Sequence, residues 1–233
     1  QINAVPLSGG GWSMAFQTQP GEGLDATGSA IYFVDEHGIK ALGIELIAGE
    51  NFAPSDISWR SEDNNSWPAK LIVSQALAVK LFGDVQSAVG KTIFINNTEP
   101  MTITGVVKTL QSPWSGWGDT ELAALVPQQL ESKSSRIFIR TEPGRRDELM
   151  PQLEKMLADS DKQRIIRNVK TMADTRLESY RESRATNQIL LVVVVVLTLI
   201  TAFGIVGLAM FSINRRTRQI GTRRALGATQ GQI

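Results

Sequence analysis

The chain has 233 residues, 42% of them hydrophobic and 20% charged, and a formal net charge of +1. Such a composition reads as soluble on average, so a membrane segment has to be sought locally. Cysteine is absent, which excludes a disulfide framework and a thiol site within the chain, and a chain of this size can bury a core without staples.

Up to about Gly28 the sequence is rich in Gly, Pro and Ser (PLSGGG, QPGEG) and is predicted to form loops flanking short strands. The apolar IYFV run after Ser29 predicts a strand, and 37–42 opens a short helix. Residues 70–73 form an apolar strand. Ser74 then supplies an N-cap, Ala76, Leu77, Val79, Leu81 and Phe82 a short helix, and Gly83 its stop. Two strands follow at 92–96 and 101–107, joined by a polar turn through Asn97 and Pro100, with the alternation of MTITGVV marking the second. Beyond the SPWSGWG loop, a strand at 137–140, a helix at 147–157 and a strand at 165–169 make a βαβ-like unit. Leu149, Leu153, Met156 and Leu157 give its helix one apolar face. From Thr171 a cap opens a segment without Gly or Pro, predicted to be one continuous helix as far as Ile213.

Residues 189–213, ILLVVVVVLTLITAFGIVGLAMFSI, carry no charge over about 25 positions, or roughly 37 Å of helix against a hydrocarbon core of about 30 Å. A buried core helix rarely runs so long without a polar face, and a signal sequence belongs at an N-terminus. The valines at 192–196 would suit a strand in water. In lipid a lone strand leaves its backbone groups unpaired, so a transmembrane helix is predicted. All 23 acidic residues precede position 214, whereas Arg215, Arg216, Arg218, Arg223 and Arg224 follow it, so the positive-inside rule puts residues 1–188 outside and the C-terminal end in the cytoplasm. Gln1 is not an initiator Met, and the chain is expected to be a piece of a longer protein.

GDVQSAVGKT imitates the end of a phosphate-binding loop, but the position that needs the first Gly is Val85, and KTIFIN reads as a strand where the motif needs a helix N-terminus. His37 is the single histidine, so neither a histidine zinc cluster nor a Ser/His/Asp triad is available, and the pairs Asp35/Glu36 and Glu62/Asp63 sit in polar company as solvated faces do. No catalytic, cofactor or metal site emerges, and the chain is not expected to be an enzyme. Trp12, Trp59, Trp67, Trp114 and Trp117 all lie in loop-like stretches. Such rings either contact a partner, for which Trp114 and Trp117 are the candidates, or fold back to anchor the loops, as burial statistics favour. Thr198, Thr201, Ala202, Gly204 and Gly207 are small residues in the second half of the apolar run and are candidates for close helix packing.

The stretch NRRTRQIGTRRALGATQGQI resembles the cytoplasmic segment after the second membrane helix of FtsX-like and MacB-type ABC transporter permeases, where ER-x-x-EIG-x-RRALGA is typical. Arg216, Ile220, Gly221, Arg223, Arg224, Ala225, Leu226, Gly227 and Ala228 match, while Arg215 and Gln219 replace the two acids. GIKALGIELIAGENFAPSD is similar to a second motif of that family, with Glu50 in place of its usual Arg, and LIVSQALAVKLFGDVQSAVGKTIFIN is similar to its strand, helix and GK turn.

The resemblance implies an α+β fold: a two-lobed periplasmic core domain at 1–170, in which a βαβ porter-like lobe carries an inserted β-rich lobe at about 43–126. A stalk helix at 171–188 would be continuous with a transmembrane helix at 189–213, and a cytoplasmic coupling segment at 214–233 would form a short helix at 215–229. It implies a bacterial inner-membrane permease, with one membrane helix before Gln1 and two after Ile233, that couples to a separate ABC ATPase through Arg216, Ile220, Gly221, Arg223, Arg224, Leu226 and Gly227. A second permease copy or paralogue and a periplasmic adaptor protein are the further implied partners. No nucleic acid and no cofactor are expected. The alternative reading is a membrane-bound sensor, or a cell-division regulator whose outer domain controls cell-wall hydrolases.

Overall fold

The structure, a computed structural model, describes residues 1–227 apart from Gly23, Lys133 and Arg164, and the side chains of residues 182–184, Gln219, Arg223 and Arg224 lie outside that description. The chain divides into two units, Gln1–Tyr180 and Arg181–Ile233.

In the first unit the strands are β1 (Trp12–Gln17), β2 (Thr27–Phe33), β3 (Leu46–Gly49), β4 (Ser58–Arg60), β5 (Lys70–Ser74), β6 (Thr92–Ile95), β7 (Glu99–Val107), β8 (Ala123–Val126) and β9 (Gln128–Leu130). The helices are α1 (Gly38–Leu42), α2 (Gln75–Phe82), α3 (Arg146–Ser160) and α4 (Met172–Ser179), with a 3-10 turn at Pro54–Asp56. This is a mixed α+β domain. Seven strands form one sheet in the order β3-β7-β5-β8-β2-β1-β6, and β6 also pairs with β7, so six of them close on themselves while β3 flanks β7. Closure leaves the ring without a free edge where partner strands could add.

Both faces of this sheet are covered. Ile31 and Phe33 point to one side, with Phe16, Leu71, Val73, Ile93, Ile95, Met101 and Ile103, and Leu77 and Ala78 of α2 pack into the same cluster. Ala30, Tyr32 and Val34 point to the other, against Ile72, Val107, Ala123, Leu125 and the N-terminal Ile2 and Ala4. Burial on both faces is why IYFV is an unbroken apolar run rather than an alternation, and each large side chain so removed from water contributes about 1.5–3 kcal/mol.

The β5–α2 junction is set by one hydroxyl. Ser74 Oγ accepts from the Leu77 N–H (3.2 Å) as helix cap, accepts from the Ala123 N–H (3.2 Å) on β8, and donates to the Glu121 carbonyl (2.7 Å). Gly83 closes the helix in the left-handed region at φ +84°, where its N–H bonds to the Val79 carbonyl. Gly49 has φ +72°, and a Cβ there would lie 2.1 Å from the Thr104 carbonyl oxygen on β7, so the β3–β7 approach needs glycine.

Several expectations are corrected. Residues 137–140 are not a strand: Arg136 makes a single bridge to Ile2, Phe138 turns inward, and Ile137 and Ile139 are left 60% and 49% exposed. Residues 165–169 are not a strand either, because Asn168 takes φ +57°, which breaks an extended run, and Ile165 is 74% exposed. The βαβ-like unit is therefore reduced to its helix. That helix starts one residue early at Arg146, so Pro151 falls in the second turn and forgoes one backbone bond. In the sheet β2 pairs with β8 in parallel and β1 pairs with β6.

The continuous helix expected from Thr171 is two helices. Thr171 caps α4 reciprocally with Asp174, but Tyr180 leaves helical geometry at φ −93°, ψ 2°. A second helix, α5 (Arg181–Ala225), then runs through the apolar segment without a break. No separate helix begins at 215, because nothing between Ile213 and Ala225 interrupts the backbone bonding; the helix stops where Gly227 takes φ +88°.

Candidate functional site

Among the described residues no group of three or more His, Cys, Asp or Glu side chains could hold a metal ion. Among the described residues of the first unit, shallow clefts include the following two. One, of about 270 Å³, lies between Trp67, Pro127 and the Asp56–Lys70 ion pair. In that pair Lys70 Nζ donates to Asp56 Oδ1 at 2.8 Å while Asp56 Oδ2 accepts from the Ala53 N–H at 2.9 Å. The Lys70 hydrogen bond and the backbone N–H hold the Asp56 carboxyl below the usual carboxylate range, and the bond to Asp56 raises Lys70.

Beside this cleft the Arg60 guanidinium lies 4.5 Å from the Trp67 ring and about 6 Å from those of Trp12 and Phe33. Arg60 thus fills the space between three aromatic rings as a cation–π contact. Trp12 and Trp59 remain 43% and 57% exposed, which the sequence did not single out.

The other cleft, about 460 Å³, is lined by Leu7 and Gln111 on one side and by Met172, Ala173, Arg176 and Tyr180 of the α4 segment on the other. Near it the Trp114 and Trp117 rings stack edge to face at 5.0 Å and pack half-buried against the second core cluster, so these two candidate partner contacts are folded onto their own domain. Ser115, between them, donates from Oγ to the Ser179 carbonyl at the end of α4 (3.1 Å). No periodicity or motif marks Ser115, and its role follows only from the meeting of distant loops.

In the second unit every described residue of α5 is exposed, and Ala185–Thr222 is long and apolar enough to cross a membrane, with a mean hydropathy of 3.2 over an 18-residue window. A helix that is apolar all round and unburied belongs in a bilayer. Its 45 residues amount to about 67 Å, roughly twice a hydrocarbon core, so the helix extends well past it. Thr198 Oγ1 donates to the Val194 carbonyl (2.7 Å) and Thr201 Oγ1 to the Leu197 carbonyl (2.8 Å), so neither hydroxyl needs an outside partner in lipid. The five packing candidates do not share one stripe, and four of them divide between two faces. At about 100° per residue, Thr198 and Ala202 lie about 40° apart on one face, and Gly204 and Gly207 about 60° apart on a roughly opposite one.

Arg216, Ile220 and Gly221 sit on the last turns of α5, with Leu226 just beyond its end at 84% exposure and Gly227 in the left-handed region. The Arg223 and Arg224 side chains and Ala228 lie outside the described residues. The structure therefore brings Arg216, Ile220 and Gly221 onto one rod with the apolar segment.

Residues 3–156 match the family described as the MacB-like periplasmic core domain, and residues 191–233 match the FtsX-like permease C-terminal family. The macrolide export ATP-binding/permease protein MacB of Chromobacterium violaceum is 28% identical over 206 residues, which cover 82% of this chain and 29% of the relative. MacB of Neisseria meningitidis serogroup A is 25% identical over 246 residues, covering 99% of this chain and 34% of the relative. The chain thus spans about a third of the length of these relatives. Among solved structures, the periplasmic region of MacB from Actinobacillus actinomycetemcomitans aligns with 70% of this chain and 71% of its own, at 18% identity and a TM-score of 0.45. The extracellular domain of the noncanonic ABC-type transporter YknZ from Gram-positive bacteria aligns with 55% and 54%, at 21% identity and a TM-score of 0.36.

Proposed function

The chain belongs to the MacB-like periplasmic core domain family, a membrane-bound permease type with an extracytoplasmic segment, and on that premise we propose that it is the permease part of an ATP-driven ABC transporter. Hydrolysis takes place on a separate ATPase subunit or domain. ATPase closure pushes on the end of α5 around Arg216, Ile220, Gly221, Arg223, Arg224, Leu226 and Gly227, which lies in the cytoplasm. The displacement travels along α5 to the outer domain, which acts in efflux or extraction of a substrate without the substrate crossing this helix.

The observation that carries this reading is the unbroken course of α5 from Arg181 to Ala225. A single helix with no Pro is stiff over this length, so a push on one end is not absorbed within the membrane segment. A second permease copy or paralogue packs beside α5, and an adaptor protein meets the outer domain. The sensor or division-regulator alternative is not favoured, because the related sequences are export permeases.

The test is in the full-length transporter. Gly221→Leu and, separately, Leu226→Ala are expected to leave expression and basal ATP hydrolysis intact while reducing ATP-dependent transport at least tenfold. Unchanged transport in both variants would sink the coupling role of this end.

A further inference from the structure

The break at Tyr180 leaves α4 as an eight-residue helix of its own. It buries no residue fully, and Leu177 is 55% exposed. Its integrity is local. Thr171 and Asp174 cap its start reciprocally, and Lys170 Nζ clamps the Glu178 carboxylate at 2.7 and 2.9 Å, so α4 keeps its form without help from the core. Among the described residues its contacts with the domain include the Ser115 hydroxyl on the Ser179 carbonyl, the flank it presents to Leu7 and Gln111 across the 460 Å³ groove, and the attraction of Arg146 on α3 for Asp174. A helix that is self-capped, mostly exposed and bordered by an open groove has room for a second seat.

Resting on the permease reading above, the geometry points to α4 as a movable strap: displacement delivered through α5 shifts α4 on the Trp114–Trp117 loop and narrows or widens the groove, and Ser115 is the catch that defines the resting seat. The chemistry suits a catch rather than a fixed joint. Ser179 offers a carbonyl at a helix C-terminus, where such groups lack an intrahelical partner, so breaking the Ser115 bond exposes a group that water can take over at little cost. Trp114 and Trp117, held half-buried by the second core cluster, give the catch a firm base.

Two measurements on the full-length transporter in its membrane test this. In the first, hydrogen exchange is followed in residues 172–179. Ser115→Ala is expected to raise exchange there about tenfold while β5 and β7 stay unchanged; no change in 172–179 would overturn the catch. In the second, Gln111→Cys and Arg176→Cys are joined across the groove by a short bismaleimide; these 233 residues contain no cysteine, and any cysteine elsewhere in the transporter is first replaced by Ser. The crosslinked pair is expected to lose at least nine-tenths of ATP-dependent transport, with both single-cysteine controls active. Full transport with the crosslink in place would overturn the strap while leaving the permease reading intact. If the unmodified protein itself shows no ATP-dependent transport, the permease reading fails, and the exchange measurement still decides whether Ser115 seats α4.

Discussion

At the scale of single residues, the Asp56–Lys70 pair is an ionisable feature with a defined pH signature. Asp56 has a folded-state value depressed by the Lys70 hydrogen bond and then by the Ala53 N–H, so its contribution is complete above the ordinary aspartate value of about 3.9 and is lost as pH falls through the lower folded value. Lys70 is raised, chiefly by its hydrogen bond to Asp56; its contribution is complete below about pH 10.4 and is lost as pH climbs through the higher folded value. Asp56→Asn is therefore expected to lower the melting temperature at neutral pH and to flatten its fall between about pH 4 and pH 2. Thermal unfolding followed by tryptophan emission, to which Trp67 in the same cleft contributes, would read this out. A variant that loses stability on acidification as steeply as the parent would show that the pair plays no part. Ser74 and Gly83 were legible from the sequence because caps act through neighbours three or four positions away. Ser115 was not, since its acceptor lies 64 positions distant.

At the scale of elements, short-range rules worked where a segment is decided by its own neighbours, and failed where tertiary partners decide. The strand–helix–strand succession β5–α2–β6 and the turn into β7 match the residue pattern. Residues 137–140 and 165–169 have strand-like composition but no ladder, because the pairing next to Val34 is taken by Ile2 and because Asn168 adopts a left-handed backbone. A strand needs a partner at a free register, and composition does not say whether one exists. For α5 the split of its small residues between two faces carries a prediction. Ala202→Leu and Gly207→Leu should each weaken assembly with a neighbouring helix by about 1–3 kcal/mol, the usual range for overpacking, if neighbours approach from both sides. Site-directed crosslinking in membranes would measure this. A loss confined to one substitution would mean that only one face is occupied.

At the scale of the whole molecule, the distribution of charge governs how the chain sits in a membrane. Before the apolar run lie Arg176, Arg181 and Arg184, and after it lie Arg215, Arg216, Arg218, Arg223 and Arg224, a bias of five cations to three. Changing those five to Gln should reverse the bias and scatter the orientation of α5. With single cysteines introduced at exposed sites of the first unit, labelling of intact cells by a membrane-impermeant maleimide should drop severalfold. Undiminished labelling would mean that other segments set the orientation.

The sequence by itself determined the membrane span, the polarity of its charges, the β5–α2 core and the family motifs. Each of these is written in local apolarity, in cap residues, or in a contiguous string that needs no distant partner to be recognised. Tertiary structure alone decided that six strands close into a ring, that Trp114 and Trp117 fold inward, that α4 and α5 are separate helices and that Ser115 holds the end of α4. These depend on which of many competing registers and burials has the lowest free energy, and that choice is made by residues far apart in the chain acting together.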